Sequence, residues 1–281
     1  MKYVAKDIEE YSNVKRTSPV REFFELLLKS AGVLLLLYWL SGLLVNFIAP
    51  KIPSDLELKI GTLYKNNIEQ KHELTASSEV QDILDNLIQS ASSTLPKLNY
   101  KISITESQQA NAFALPGGEI VVTSGLLKEI SSENELAMIL AHELGHYANR
   151  DHLKGLGRGL LLALFSCIFV GTDATTSGFL TNSLSGMERK FSQKQEIAAD
   201  LFALDLVHQT YHNVTGATDF FKRVTNKDKT PKFLYFLATH PHPEKRYKLL
   251  QKTILDKKYI YGEKIPLTLN LEKADGNPET P

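Results

Sequence analysis

Residues 141 to 147 read AHELGHY, and His142 and His146 stand four apart in it with Glu143 beside the first. On a helix of 3.6 residues per turn this spacing puts both imidazoles on one face, one turn apart, within reach of a single ion. Glu143 then points toward the rim of the site rather than at the ion. A zinc hydrolase needs this set, because zinc lowers the pKa of a bound water to roughly 7 and a nearby carboxylate takes its proton. The surrounding stretch SSENELAMILAHELGHYANRDH (131 to 152) predicts the helix: Ser132 and Glu135 have capping-box spacing, and no glycine interrupts before Gly145. With eight histidines in the chain, a chance H-E-x-x-H is on the order of one in a hundred.

A hydrolytic zinc takes three protein ligands and leaves a position for water. A third ligand must therefore come from elsewhere in the chain. The best candidate is Glu196 in EIAAD (196 to 200), inside a second helical pattern, MERKFSQKQEIAADLFALDLVHQ (187 to 209). Glu196 and Asp200 share a face, one carboxylate for the metal and one to support a ligand histidine. The competing reading is a solvated acidic pair, which most helical carboxylates are. Two imidazoles and a carboxylate suit zinc, one Zn2+ per chain. A single cysteine, Cys167, excludes a three-cysteine site and any intramolecular disulfide.

Outward from these helices, residues 77 to 93 carry Val80, Ile83, Leu84, Leu87 and Ile88 at helical spacing, with Ser77 or Ser78 as cap. LNYKISITES (98 to 107) alternates as a strand. NAFALPGGEIVVTSG (111 to 125) offers two short strands around Pro116-Gly117-Gly118. Shorter helices are expected over 216 to 225, 231 to 238 and 243 to 257, and a loose tail beyond about 268. The pattern predicts an α+β domain, mostly helical with a small β-sheet.

The chain has 281 residues, 43% of them hydrophobic, with 32 basic and 32 acidic side chains. Zero formal charge leaves no electrostatic footprint for nucleic acid, which is dropped as a partner. Residues 31 to 49, AGVLLLLYWLSGLLVNFIA, hold no charged side chain and are long enough to cross a bilayer. A buried soluble helix would seldom be apolar all round at this length, and a signal peptide would show a shorter basic leader and an A-x-A site. Residues 31–49 are therefore read as an uncleaved single-pass anchor embedded in the lipid bilayer. Before it come residues 1–30, a cytoplasmic segment; after it a linker (50–74), a catalytic domain (75–257) and a tail (258–281). Four basic residues in the twenty before the span against three in the twenty after weakly favour a cytoplasmic amino terminus. In a bacterial inner membrane the catalytic domain would then face the periplasm or the outside. A second apolar run, 159 to 171, is too short to span, and is read as a buried lid or a membrane-associated segment.

HELGH (142 to 146), EIAAD (196 to 200), NAFALPGG (111 to 118) and THPHPEKR (239 to 246), in that order and with those intervals, resemble metallopeptidase family 48, the membrane gluzincins that include HtpX and the CAAX prenyl endopeptidases. The resemblance covers roughly residues 75 to 256. It implies a zincin-like metalloprotease fold, zinc on His142, His146 and Glu196, and Glu143 as general base. It also implies that Asn111, Ala112, Phe113, Ala114 and Leu115 form the edge strand on which an extended substrate peptide is laid. The family's histidine and arginine, six residues apart, fall on His240 and Arg246: His240 to stabilise the oxyanion and Arg246 to support it. The additional His242 is read as a loop residue, and His72, His152, His208 and His212 as surface residues. One clear span departs from the several spans of the best-known relatives and places the chain nearer single-anchor bacterial members.

The expected function is a membrane-anchored zinc metalloendopeptidase acting on unfolded or extended polypeptides in quality control of membrane or extracytoplasmic proteins. The alternative is a chaperone-like protein that keeps the fold and grips strands without cutting them, which would have no need of Glu143. The histidine-rich loop adds a further expectation, that His240 or His242 fills the fourth metal position at rest and holds the enzyme latent.

Overall fold

The computed structural model of the chain describes residues 18–69, 73–91, 93–159, 191–226 and 233–269. The chain divides into two compact units, Met1–Leu44 and Val45–Pro281. The first holds most of helix α1 (Pro19–Ile48), which starts well before the apolar run. Glu22 suits the positive end of the helix, and Glu25 and Lys29 pair at 2.7 Å one turn apart. Among the described residues this is the one helix long and apolar enough to cross a membrane. Its Leu34, Leu37, Trp39 and Leu44 are exposed, as a lipid-facing helix requires.

In the second unit, the stretch 50–74 expected as a linker is largely structured. A 3-10 turn (Ala49–Lys51) leads into helix α2 (Ser54–Glu69), whose first turn carries Asp55 and Glu57. Glu57 is fully buried. Gly61 lies so close to the Pro116 carbonyl that a Cβ there would come within 2.2 Å of the oxygen, so only glycine lets α2 approach.

The sheet has four strands in the order β1 (Leu74–Thr75), β2 (Lys101–Thr105), β4 (Glu119–Thr123), β3 (Ala112–Leu115). β2 runs parallel to β4, and β3 runs antiparallel to it from Ala112↔Val122 to Leu115↔Glu119. The Pro116-Gly117-Gly118 turn takes φ of +91° and +99° at its glycines, a conformation costly for any side chain. β3 is thereby left as an edge strand.

Helix α3 (Ser78–Ala91) buries Val80, Ile83, Leu84 and Leu87 as the spacing predicts, and Ser77 Oγ accepts the Val80 N–H at 3.4 Å. Helix α4 (Ser124–Glu129) is capped by Thr123. Helix α5 (Glu133–Ala148) is buried from Asn134 to Tyr147 and has no solvent face. Its capping box closes only halfway. Ser132 Oγ accepts the Glu135 N–H, while the Glu135 carboxylate turns to the Ser131 N–H at 3.0 Å and to Arg223. The single helix expected over 131 to 152 is broken at Arg150, whose φ is +55°, and helical structure resumes over 151–159.

Helix α6 (Gln193–Tyr211) opens with a complete capping box between Ser192 and Gln195 and packs along α5. Helices α7 (Asp219–Asn226), α8 (Leu234–Thr239) and α9 (Pro243–Asp256) follow. One core joins α3, the sheet, α5 and α6, with Leu84, Ile120, Leu140 and Leu204 fully buried. Residues 258–269 of the expected tail are irregular but tied to the body: Ile260 and Ile265 carbonyls accept the Val214 and Glu133 N–H groups. The lid or membrane segment expected from 159 to 171 and the loop after it lie outside the described residues beyond Gly159.

Candidate metal centre

Three buried elements meet at the AHELGHY stretch. α5 supplies His142, Glu143 and His146; α6 supplies Glu196 and Asp200; the Thr239–His240 end of α8 supplies His240. Each of these residues is 4% exposed or less. Their proximity depends on Gly145, where a Cβ would meet the Ala199 Cα at 2.8 Å. A glycine inside a helix costs about 0.5–1 kcal/mol relative to alanine. Here it lets the two helix backbones touch and brings Glu196 to the histidines.

The two ligand candidates are oriented from behind. His142 Nδ1 lies 2.9 Å from Asp200 Oδ1 and His146 Nδ1 lies 3.1 Å from Asp151 Oδ2. An Nδ1–H donated to a carboxylate leaves the Nε2 lone pair free and basic. The two Nε2 atoms face each other at 3.1 Å. Two lone pairs so placed repel unless a cation or proton lies between them.

Glu196 completes the group at 3.6 Å from His146 Nε2 and 3.7 Å from His142 Nε2, and His240 Nδ1 stands 3.3 Å from His142 Nε2 and 3.1 Å from Glu196 Oε1. Tetrahedral zinc with bonds of about 2.0–2.1 Å has ligand–ligand edges of about 3.3 Å. The four donors, all within 4.8 Å of one another, therefore fit the corners around such an ion. Both oxygens of Glu143 are buried without a hydrogen-bond partner, one of them 3.8 Å from His240 Nε2. An orphaned buried carboxylate is costly, and beside this group it suits a bound water.

The electrostatics express the same demand for positive charge. Burial disfavours an imidazolium at His146, yet its bonds to Asp151 and Glu196 outweigh burial and push its pKa up to about 9. Burial holds His142 low, helped by Arg246 and His146 and opposed by Asp200. Burial would raise Glu196, but His240, His146 and His142 together hold it well below the usual carboxylate range.

A model of peptidase family M48 matches residues 75–254. The chain belongs to peptidase family M48. It is 31% identical over 171 residues to the mitochondrial metalloendopeptidase OMA1 of Arabidopsis thaliana, covering 59% of this chain and 34% of the relative. To the putative beta-barrel assembly-enhancing protease of Vibrio cholerae it is 25% identical over 210 residues, 68% of this chain and 43% of the relative. To metalloprotease LoiP of Escherichia coli it is 30% identical over 142 residues, 47% and 53%. The chain thus spans between about a third and a half of the length of these relatives.

Within the M48 domain Arg246 departs from expectation. Its Nε and Nη2 both donate to Asp200 at 2.7 Å, and Nη1 forms an ion pair with Glu196 rather than supporting His240. Asp200, expected behind a ligand histidine, lies 2.9 Å from Nδ1 of ligand candidate His142. His242 is exposed at the start of α9 with φ of +63°, outside the ligand group. Of the expected substrate strand, Ala112 to Leu115 form edge strand β3, which lies against α5. Asn111 is buried just before it, bonded to Thr123.

Two histidines expected at the surface are not free there. His152 is buried with Nε2 2.8 Å from Glu57, and His208 is half-buried with its ring stacked on Tyr259 at 3.9 Å. Each has found a partner that sequence spacing does not reveal. His212 is exposed, and His72 lies outside the described residues. Sequence reasoning also missed Asp151, Gly145 and Phe191, whose ring stacks on His146 at 3.9 Å. The mid-helix glycine was a signal in plain view. Asp151 was not, because it acts across a helix break where i, i+4 spacing no longer applies.

Proposed function

We propose that this chain is a membrane-anchored zinc metalloendopeptidase that hydrolyses unfolded or extended polypeptides. The reading is carried by the facing Nε2 atoms of His142 and His146, with Glu196 beside them and the unpartnered Glu143 alongside. His142, His146 and Glu196 would hold the zinc, which when bound supplies Lewis acidity and an acidified water. Glu143, free to accept, takes the water proton on a carboxylate oxygen and passes it to the leaving amine. Asp200 and Asp151 keep both histidines in the tautomer that leaves Nε2 free, and Arg246 braces Asp200 and Glu196. Edge strand β3 offers its open backbone to an extended peptide, a recognition mode tolerant of side chains. A non-cleaving chaperone-like protein would have no use for a buried Glu143 without a hydrogen-bond partner.

His240 Nδ1 stands at the corner that water would take, which favours the resting-ligand role for His240 and removes His242 from it. The two roles weighed for His240 predict opposite signs. If it blocks the fourth position, His240→Ala raises basal cleavage; if it chiefly stabilises the oxyanion, the same variant lowers it about 10²–10³-fold. The related proteases from bacteria and a plant mitochondrion and helix α1 support a single-pass protein of a bacterial inner membrane with the domain outside the cytoplasm, acting in protein quality control. The test of the base is Glu143→Gln: cleavage falls at least 10²-fold while zinc per chain is unchanged. Retained cleavage would overturn the assignment.

A further inference from the structure

Glu57 lies outside the matched residues 75–254, on a helix the sequence left as linker, yet it is buried completely. Its partners among the described residues are in two places. Its Oε1 accepts from His152 Nε2 at 2.8 Å and from the Gly117 N–H at 3.4 Å, and its Oε2 pairs with Arg150. Arg150 and His152 flank Asp151, the carboxylate behind ligand candidate His146. Asp151 Oδ1 in turn accepts from Gln195 Nε2 at 2.9 Å and Lys154 Nζ at 3.1 Å.

Arg150 adopts a left-handed conformation, φ +55°, which costs a non-glycine residue roughly 1–2 kcal/mol. That turn ends α5 and lets Asp151 fold back under His146. Something outside the segment must hold it, and the one buried carboxylate gripping both neighbours of Asp151 does so. The Lys154 and Gln195 bonds restrain Asp151 Oδ1; Glu57 restrains the backbone that presents Oδ2.

We infer that Glu57 is a positioning residue of the metal centre, acting through Arg150 and His152 to set Asp151 against His146. The inference rests on the metal site proposed above but not on peptide cleavage. Loss of a carboxylate behind a ligand histidine weakens metal binding about 10–100-fold, and a residue one contact further out belongs at the lower end of that range.

The experiment is zinc affinity by chelator competition on the full chain in detergent. Glu57→Gln, which keeps the shape and removes the charge, is expected to weaken zinc about tenfold. Asp151→Asn is expected to weaken it at least as much, and the double variant no more than Asp151→Asn alone, because both act on one bond. Leu95→Ala, a core truncation in the loop between α3 and β2, away from α2 and the helices that bear the metal group, controls for stability: at a comparable fall in Tm its zinc affinity should hold. If Glu57→Gln does not fold, His152→Gln carries the same expectation. Unchanged affinity in the Glu57 variant, full additivity with Asp151→Asn, or an equal loss in Leu95→Ala would overturn the inference. Absence of zinc binding by the unaltered chain would instead overturn the metal site itself.

Discussion

Arg246 is among the largest fully buried side chains in the protein, and its charge is balanced by Asp200 and Glu196. Removing one partner of such a group leaves the others charged and unpaired in the interior, at a cost of about 3–5 kcal/mol. Arg246→Ala is therefore expected to lower Tm sharply, and Arg246→Lys to restore little, since one ammonium cannot span Asp200 and Glu196; full recovery with lysine would contradict the bracing role. Glu57 gives a pH expectation. Burial would raise its pKa, but His152, Arg150 and the Gly117 N–H together lower it. A depressed folded pKa contributes stability that is present above the unfolded value of about 4.3 and is lost as pH falls through the folded one. Acid unfolding below about pH 4.3 should thus be shallower in Glu57→Gln, and an unchanged acid limb would argue that Glu57 is not charged in the folded protein. At this scale the ligand candidates were legible because helical spacing puts His142 with His146, and Glu196 with Asp200, on one face. Asp151, Glu57 and the partner of Arg246 were not, because each contact crosses between segments far apart in sequence or across a break in a helix.

At the scale of elements, α5 and α6 form a single unit whose spacing sets the metal group. Gly145→Ala would drive a methyl into the Ala199 backbone, and overpacking of this kind costs about 1–3 kcal/mol. The variant is expected to bind zinc more weakly as well, since α6 carries Glu196 away with it; zinc affinity equal to that of the unaltered chain would show that the helix contact does not position the ligand. The hairpin behind the site is tied to α5 by Tyr147, whose hydroxyl donates to the Leu115 and Glu119 carbonyls, the pair that closes the β3–β4 ladder. Periodicity found α3, α5, α6, β2, β3 and β4. It left α2 as linker because Leu56, Leu58 and Ile60 alternate rather than recur at helical spacing, and among its described side chains the buried residues are Glu57 and Gly61. Single helix 131 to 152 was over-extended because nothing in ANRDH announces a left-handed arginine.

For the whole molecule, the apolar helix and the catalytic unit are separable in composition: the hydrophobic core, from Val80 to Ile254, lies within Val45–Pro281. A chain beginning at Val45 keeps Val45 and Ala49, both buried. It is expected to remain folded with zinc bound and to leave the membrane fraction, whereas continued sedimentation with membranes would show a second attachment. The central claim, zinc-dependent peptide hydrolysis, is tested most directly by incubating the full chain in detergent with unfolded casein, with and without chelator, alongside His240→Ala. Cleavage that stops with chelator, returns with zinc and rises in His240→Ala is the predicted result. Cleavage indifferent to chelator, or none from either zinc-loaded protein, would contradict it.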